Sequence, residues 1–237
     1  MSEDLCYLTA NELVRRYGEK SLSPVDVTQA TLARIERYDG AINAYCLVAG
    51  DEALAAARLS EERWSRGQPL GLVDGVPTSV KDLNAAKGWP LRKGSRTVTA
   101  DPPSHEDAPI VARLREQGAV FLGKTTTPEF GWKGITDSPL TGITRNPWNT
   151  ERTPGGSSGG AAAALVAGFC ALATGGDGGG SIRIPSGFSG CFGIKAQFGR
   201  VPAYPASSYN TLSHPGPMAR TVEDAALMLT VIARPDP

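Results

Sequence analysis

Five of the seven residues before Ser181 are glycine, in the stretch "TGGDGGGS". One or two glycines after the apolar run "FCALAT" would make an ordinary tight turn. Five are more than a turn needs. Backbone without Cβ atoms can aim successive N–H groups into one small space, which is what stabilising a developing oxyanion requires. Gly178, Gly179, Gly180 and the amide of Ser181 would form that cradle, with the Ser181 hydroxyl beside it as nucleophile. A serine nucleophile needs a base, and neither histidine of the chain, His105 or His214, lies in a neighbouring motif. The segment "GVPTSVKD" offers Lys81 instead. In a strand Lys81 shares a face with Ser79 while Asp82 points the other way, so the adjacent carboxylate is poorly placed to neutralise it. A lysine at a strand end is by default a solvated residue. A third element argues against that default: in "TPGGSSGGAAAALVAG", Ser157 and Ser158 open an alanine-rich helix, where the macrodipole is positive and N–H groups are free. These residue types do not decide between the two serines.

Two other patterns compete for the chemistry. "GAVFLGKT", residues 118 to 125, satisfies the phosphate-loop expression, but the four residues between its glycines are apolar and read as a strand, and Pro128 interrupts the helix that should follow Lys124. "GSSGG", residues 156 to 160, fits the nucleophile elbow of serine esterases with Ser158 as attacker, and Asp177 and His214 would complete a triad. An elbow needs a strand running into it, and "NPWNTERTP" is a polar, proline-bounded loop.

The elements that must position these residues follow from hydrophobic patterning. The first third, to about residue 68, reads as a helical lead-in. Ser23 caps a helix with Pro24 at its first position, Val25, Thr28, Leu32 and Ile35 share one face, and Gly40 stops it. A second helix ends near Gly67. From about residue 69 onward, short apolar runs punctuated by Gly and Pro alternate with the helical "DAPIVARLREQG", which predicts an α/β fold with no break to a second domain.

Composition bounds the function classes. The 237 residues are 41% apolar and 20% charged, ordinary for a globular chain, and 24 basic residues balance 24 acidic ones. There is no electrostatic footprint for nucleic acid or an anionic membrane. The longest near-apolar run, Ala161 to Ala173, is too short to span a bilayer. The four cysteines form no CxxC pair, so neither a metal site nor a cofactor is expected, and the polar start of the chain suggests a cytoplasmic protein.

Taken together, "GVPTSVKDLN", "PGGSSGGAAAALVAG" and "TGGDGGGSIRIPSGFSGCFGIKAQFGRV" resemble, in that order, three segments of the amidase signature family. "GAVFLGKTTTPEF" and "TRNPWN" resemble its connecting pieces, which accounts for the accidental phosphate-loop match. The resemblance runs from about residue 5 to the end and implies one large mixed β-sheet flanked by helices on both faces. It also implies a Ser-cisSer-Lys triad: Lys81 as base, Ser157 as bridging serine after a cis peptide bond, and Ser181, 24 residues on, as nucleophile. The activity implied is hydrolysis of the C–N bond of a small linear amide or carbamoyl compound through an acyl-enzyme. For Lys81 to serve as a neutral base its pKa must fall from about 10.4 to near 7. Gly131 and Trp132 are expected on the acyl side of the pocket, with Ser158 nearby; core packing is the competing reading for Trp132.

Two features depart from the family pattern. Gly178 is smaller than the usual residue there, and Ala196 and Gln197 replace the common proline-threonine pair after Lys195. The second change resembles general amidases more than the alternative, the catalytic A subunit of a tRNA-dependent amidotransferase with its partner subunits. Family members are roughly twice as long, so the remaining half of the chain is expected as a partner for this one, a homo-oligomer is left open, and the sheet is expected to be incomplete.

Overall fold

The computed structural model describes residues 3–236 of the chain. Local signals set the first elements. Thr9 and Glu12 form a capping box that starts α1 (Ala10–Gly18). Ser23 accepts from the Val25 N–H and Pro24 opens α2 (Pro24–Ile42). Gly40 does not stop that helix: it runs two residues further, and Asn43, at φ 58°, provides the left-handed cap. The chain then enters β1 (Tyr45–Val48) before α3 (Gly50–Ser65), so a strand lies inside the segment that reads as helical.

The remaining elements follow the expected alternation: β2 (Pro77–Lys81), α4 (Pro109–Glu116), β3 (Val120–Thr125), the hairpin β4 (Asp137–Ser138) and β5 (Gly142–Ile143), α5 (Gly159–Val166), β6 (Leu172–Asp177), α6 (Arg183–Ser189), β7 (Phe192–Gly193), β8 (His214–Ala219) and α7 (Val222–Ile232). Apart from the hairpin, the strands form one mixed six-stranded sheet in the order β1-β3-β2-β6-β8-β7. The central β2 is parallel to β3 and to β6, whereas β1, β8 and β7 run antiparallel to their neighbours.

Side chains alternate across the sheet, and two apolar clusters fill its two faces. Phe121 belongs to one cluster with Leu13 of α1, Ile110 and Leu114 of α4, and Met228 and Val231 of α7. Its neighbours Val120 and Leu122 pack with Ile35 of α2, Ala53 of α3 and the run Ala161–Leu165 of α5. Helices therefore cover both faces, as expected for a strand set buried on both sides. The Asp224 carboxylate in α7 accepts from the N–H groups of Ala10 at 2.9 Å and Asn11 at 3.1 Å, which ties the first helix to the last. Among the described residues, no helix is long and apolar enough to cross a membrane.

Candidate active site

Parallel strands open their carboxyl ends at the same edge of a sheet, and side chains there can converge from segments distant in sequence. Here β2 ends at Lys81 and β6 at Asp177, two strands paired through Ser79 and Ala173, and the Lys81 N–H donates to Thr174 Oγ1 at 2.9 Å. The third segment arrives from the face covered by α5, whose N-cap is Ser158. The Ser158 N–H donates to the Ser181 carbonyl at 3.1 Å, which fastens the two serine segments together.

Lys81 is 1% exposed, and its Nζ lies 2.8 Å from Ser157 Oγ and 2.8 Å from Ser158 Oγ. Burial lowers its pKa to about 7, with the Asp177 charge opposing in part. Its sequence neighbour Asp82 is turned away, as the strand alternation predicts, and pairs at 3.0 Å with Lys124, which also donates to the Pro90 carbonyl at 2.9 Å. Lys124 is thus a buried structural residue of β3. "GAVFLGKT" is a strand and its approach, not a loop with amides bared to a phosphate.

The Gly156–Ser157 peptide is cis. Ser157 is packed closely by Gly131, at φ 71°, where an added Cβ would come within 2.6 Å of Leu83 Cδ1 and 3.3 Å of Ser157 Oγ. Ser158, for its part, is held by the Lys81 amine and the Gly176 backbone, at 3.3 Å from its N–H and 3.4 Å from its carbonyl. The Asp177 carboxylate faces Arg183, and His214 Nδ1 faces the carbonyls of Leu212 at 2.7 Å and Asp177 at 3.2 Å. The Ser158–Asp177–His214 triad of the esterase alternative is therefore not assembled.

Between β6 and α6 the glycine-rich loop turns around Asp177. Oδ1 accepts from the Gly180 N–H at 2.7 Å, and Oδ2 accepts from the N–H groups of Ile182 at 3.1 Å and Arg183 at 3.2 Å. Burial disfavours the charge of Asp177, but the Arg183 guanidinium and these three backbone N–H groups outweigh it and hold the carboxyl well below the usual carboxylate range. The Gly180 N–H is thereby taken up, while Gly178, Gly179 and Ser181 line a cavity of about 540 Å³ together with Lys81 and Ser157. A Cβ on Gly179 would meet nothing within 4 Å, so no packing contact requires glycine there. Among the described residues, Ser181 Oγ makes no hydrogen bond.

The cavity wall also carries Phe130, Trp132, Tyr204 and Tyr209. Trp132 is 68% exposed, so it is not part of the core. Asp177, which enters from sequence only as a member of the esterase triad, instead organises the loop. Its signal was its position inside a glycine run, six residues before an arginine, which is compatible with an Asx-type turn and a salt bridge.

Comparison with known proteins gives the family and the fold. The Amidase family model matches residues 26–237. The chain is 43% identical over 235 residues to the A subunit of the glutamyl-tRNA(Gln) amidotransferase of Carboxydothermus hydrogenoformans, covering 99% of this chain and 48% of that protein. Its fold superposes with TM-score 0.92 and 36% identity on a chain of an inhibitor-bound vestigial protein complex that bears on the origins of an s-triazine catabolic enzyme, covering 97% of this chain and 50% of that one. A bacterial aryl acylamidase of the amidase signature family gives TM-score 0.87 at 37% identity, over 95% of this chain and 47% of that one. The chain spans about half the length of each of these relatives. A matched family model over most of the chain, and the mixed sheet that brings the three motifs to one edge, establish that this chain belongs to the Amidase family, the amidase signature enzymes.

Proposed function

We propose that this chain carries the centre that cleaves the C–N bond of a non-peptide amide, with Ser181 as nucleophile, Ser157 as proton bridge and Lys81 as base. The observation that carries the reading is Lys81: a buried amine in contact with two hydroxyls and no carboxylate, with its pKa brought to about 7. A neutral amine has a lone pair, so the Ser157 O–H can donate to Nζ and accept in turn from the Ser181 O–H. Ser181 Oγ attacks the carbonyl carbon as its proton passes to Ser157 and the Ser157 proton to Lys81. The oxyanion is met by the N–H groups of Gly178, Gly179 and Ser181, the amides of the cradle that Asp177 does not occupy. Collapse breaks the C–N bond, and the proton returns through Ser157 to the departing nitrogen. Water then cleaves the acyl-enzyme by the same relay and restores the Ser181 hydroxyl. The contact from Ser157 to Ser181 forms in this scheme as substrate settles, since such bonds are often long before substrate binds.

Two substrate readings share this chemistry. A free-standing amidase acting on a small amide finds support in the solved relatives, among them an aryl acylamidase. The alternative, the glutaminase half-reaction of an amidotransferase A subunit, is favoured by the curated relatives, which at 41–43% identity carry that name. On that balance glutamine, with ammonia passed to a partner subunit, is the first substrate to test.

A fluorophosphonate probe applied to the full-length protein, followed by peptide mapping, tests the centre. Labelling at Ser181 that disappears in Ser181→Ala is expected. Labelling at Ser158 instead would overturn the reading. Ammonia release from glutamine against simple aliphatic and aryl amides, with and without amidotransferase partner subunits, separates the two substrates.

A further inference from the structure

We propose that Lys195 is a positioning residue for this reaction, acting from behind the glycine loop to aim the Gly179 N–H into the cavity. The inference rests on the amide-cleaving reading above. Lys195 leaves the sheet just after β7, at a point where the Ile194 N–H still donates to the Pro217 carbonyl of β8 at 3.2 Å. Its Nζ donates to the Gly178 carbonyl at 3.1 Å and lies 3.5 Å from Asp177 Oδ1. The Gly178–Gly179 peptide is not among the cis bonds of the chain, and in a planar trans peptide the C=O and the following N–H point in opposite directions. A cation that fixes the Gly178 carbonyl on one side therefore fixes the direction of the Gly179 N–H on the other. Gly178 and Gly179 line the cavity, whereas Lys195 does not.

Among the described residues, no other side chain hydrogen-bonds the Gly178 carbonyl. Asp177 holds the N–H groups of Gly180, Ile182 and Arg183, all later in the loop, and Arg183 is engaged with the Asp177 carboxylate itself. Glycine backbone samples more conformations than any other, so the Gly178–Gly179 peptide is the part of the cradle least able to hold its own direction. Lys195 closes the circuit: it grips the first peptide of the loop and reaches the same carboxylate that grips the later ones.

The test compares the rate of fluorophosphonate labelling at Ser181 in the full-length wild type, Lys195→Met and Lys195→Arg, since the phosphoryl oxygen of the probe takes the oxyanion position. Rates are read well below the Tm of every variant, so that loss of folded protein does not enter. Lys195→Met keeps the length of the side chain but not its donors. It is expected to slow labelling by about 10- to 100-fold, less than outright removal of an oxyanion donor. Lys195→Arg keeps charge and donors and is expected to stay within about threefold of wild type, by the same logic of an indirect contact. With a turned-over amide, the loss in Lys195→Met should fall on kcat with KM little changed. Labelling of Lys195→Met at the wild-type rate, or equal slowing in both variants, would overturn the role of Lys195 while leaving Ser181 as nucleophile. A wild-type protein that is not labelled at Ser181 would overturn both proposals.

Discussion

Lys124 pairs with Asp82 at 3.0 Å inside the sheet, with both side chains almost fully buried, and this pairing removes from Lys81 the one carboxylate that adjoins it in sequence. Two lysines on neighbouring strands thus have different contacts: Lys124 touches an acid, Lys81 two hydroxyls. Asp82→Asn should leave the Lys124 ammonium buried without its counter-charge and cost about 3 to 5 kcal/mol, measured by urea denaturation. Lys124→Met in the same background should recover most of that loss. If Asp82→Asn is nearly neutral, the pair is not what holds this end of β3.

Lys81, with its pKa near 7, should make the reaction rate fall as pH drops below about 7, because the protonated amine cannot accept from Ser157. Lys81→Arg should be inactive throughout, since guanidinium does not lose its proton in this range. A pH–rate profile flat from pH 5 to 9 would exclude Lys81 as the base.

The same burial predicts a stability effect of the opposite kind. Between about pH 7 and 10.4 the unfolded chain binds a proton at Lys81 that the folded chain does not, so stability contributed at this site rises with pH across that window. Lys81→Met should therefore be more stable than wild type at pH 6, by on the order of 4 kcal/mol, with the gain shrinking toward pH 10. Denaturation of both proteins at the two pH values measures it. A gain that did not depend on pH would point to packing rather than charge.

Asp177 has its pKa depressed below the usual carboxylate range, so its contribution is complete above about pH 4 and is lost as the pH falls further. Asp177→Asn should lower the labelling rate of Ser181 by tenfold or more, on the order of the loss of an oxyanion donor, by loosening the loop from which those amides come. Its unfolding between pH 4 and pH 2 should also be less steep than that of wild type.

Trp132 is 68% exposed at the cavity wall, so Trp132→Ala should leave Tm unchanged within about 1 °C. It should shift preference between large and small acyl groups by about 1 to 3 kcal/mol in relative kcat/KM. Equal losses for both sizes, with a fall in Tm, would make Trp132 a packing residue.

How much of this was legible in the sequence varied with the range of the interaction involved. Ser23 and Pro24 announced α2, because a cap and a fixed φ act within one turn, yet Gly40 misled: a glycine tolerated inside a helix looks like one that ends it, and only Asn43 takes the left-handed conformation. The strand β1 was not legible. Its four residues carry little alternation, and what makes them a strand is pairing with β3 some 75 residues later. The esterase alternative had the right residue types in Ser158, Asp177 and His214 but no strand running into its elbow, and the structure adds that their side chains are engaged elsewhere.

By itself the sequence determined the chemistry on offer: a glycine loop ahead of Ser181, two serines opening an alanine-rich helix, and a lysine whose neighbouring acid must point away in a strand. Those are consequences of backbone freedom, helix ends and pleat alternation, each acting over a few residues. Only the tertiary structure decided which groups are left over for catalysis. Lys124 takes Asp82, Asp177 takes the Gly180 N–H, and Lys195 takes the Gly178 carbonyl, all through side-chain contacts that share no period and, for the two lysines, no nearby position in the chain. Such pairings form because a buried charge or polar group must find a partner once the sheet has closed around it, and which partner lies within reach is a property of the packed strands and loops.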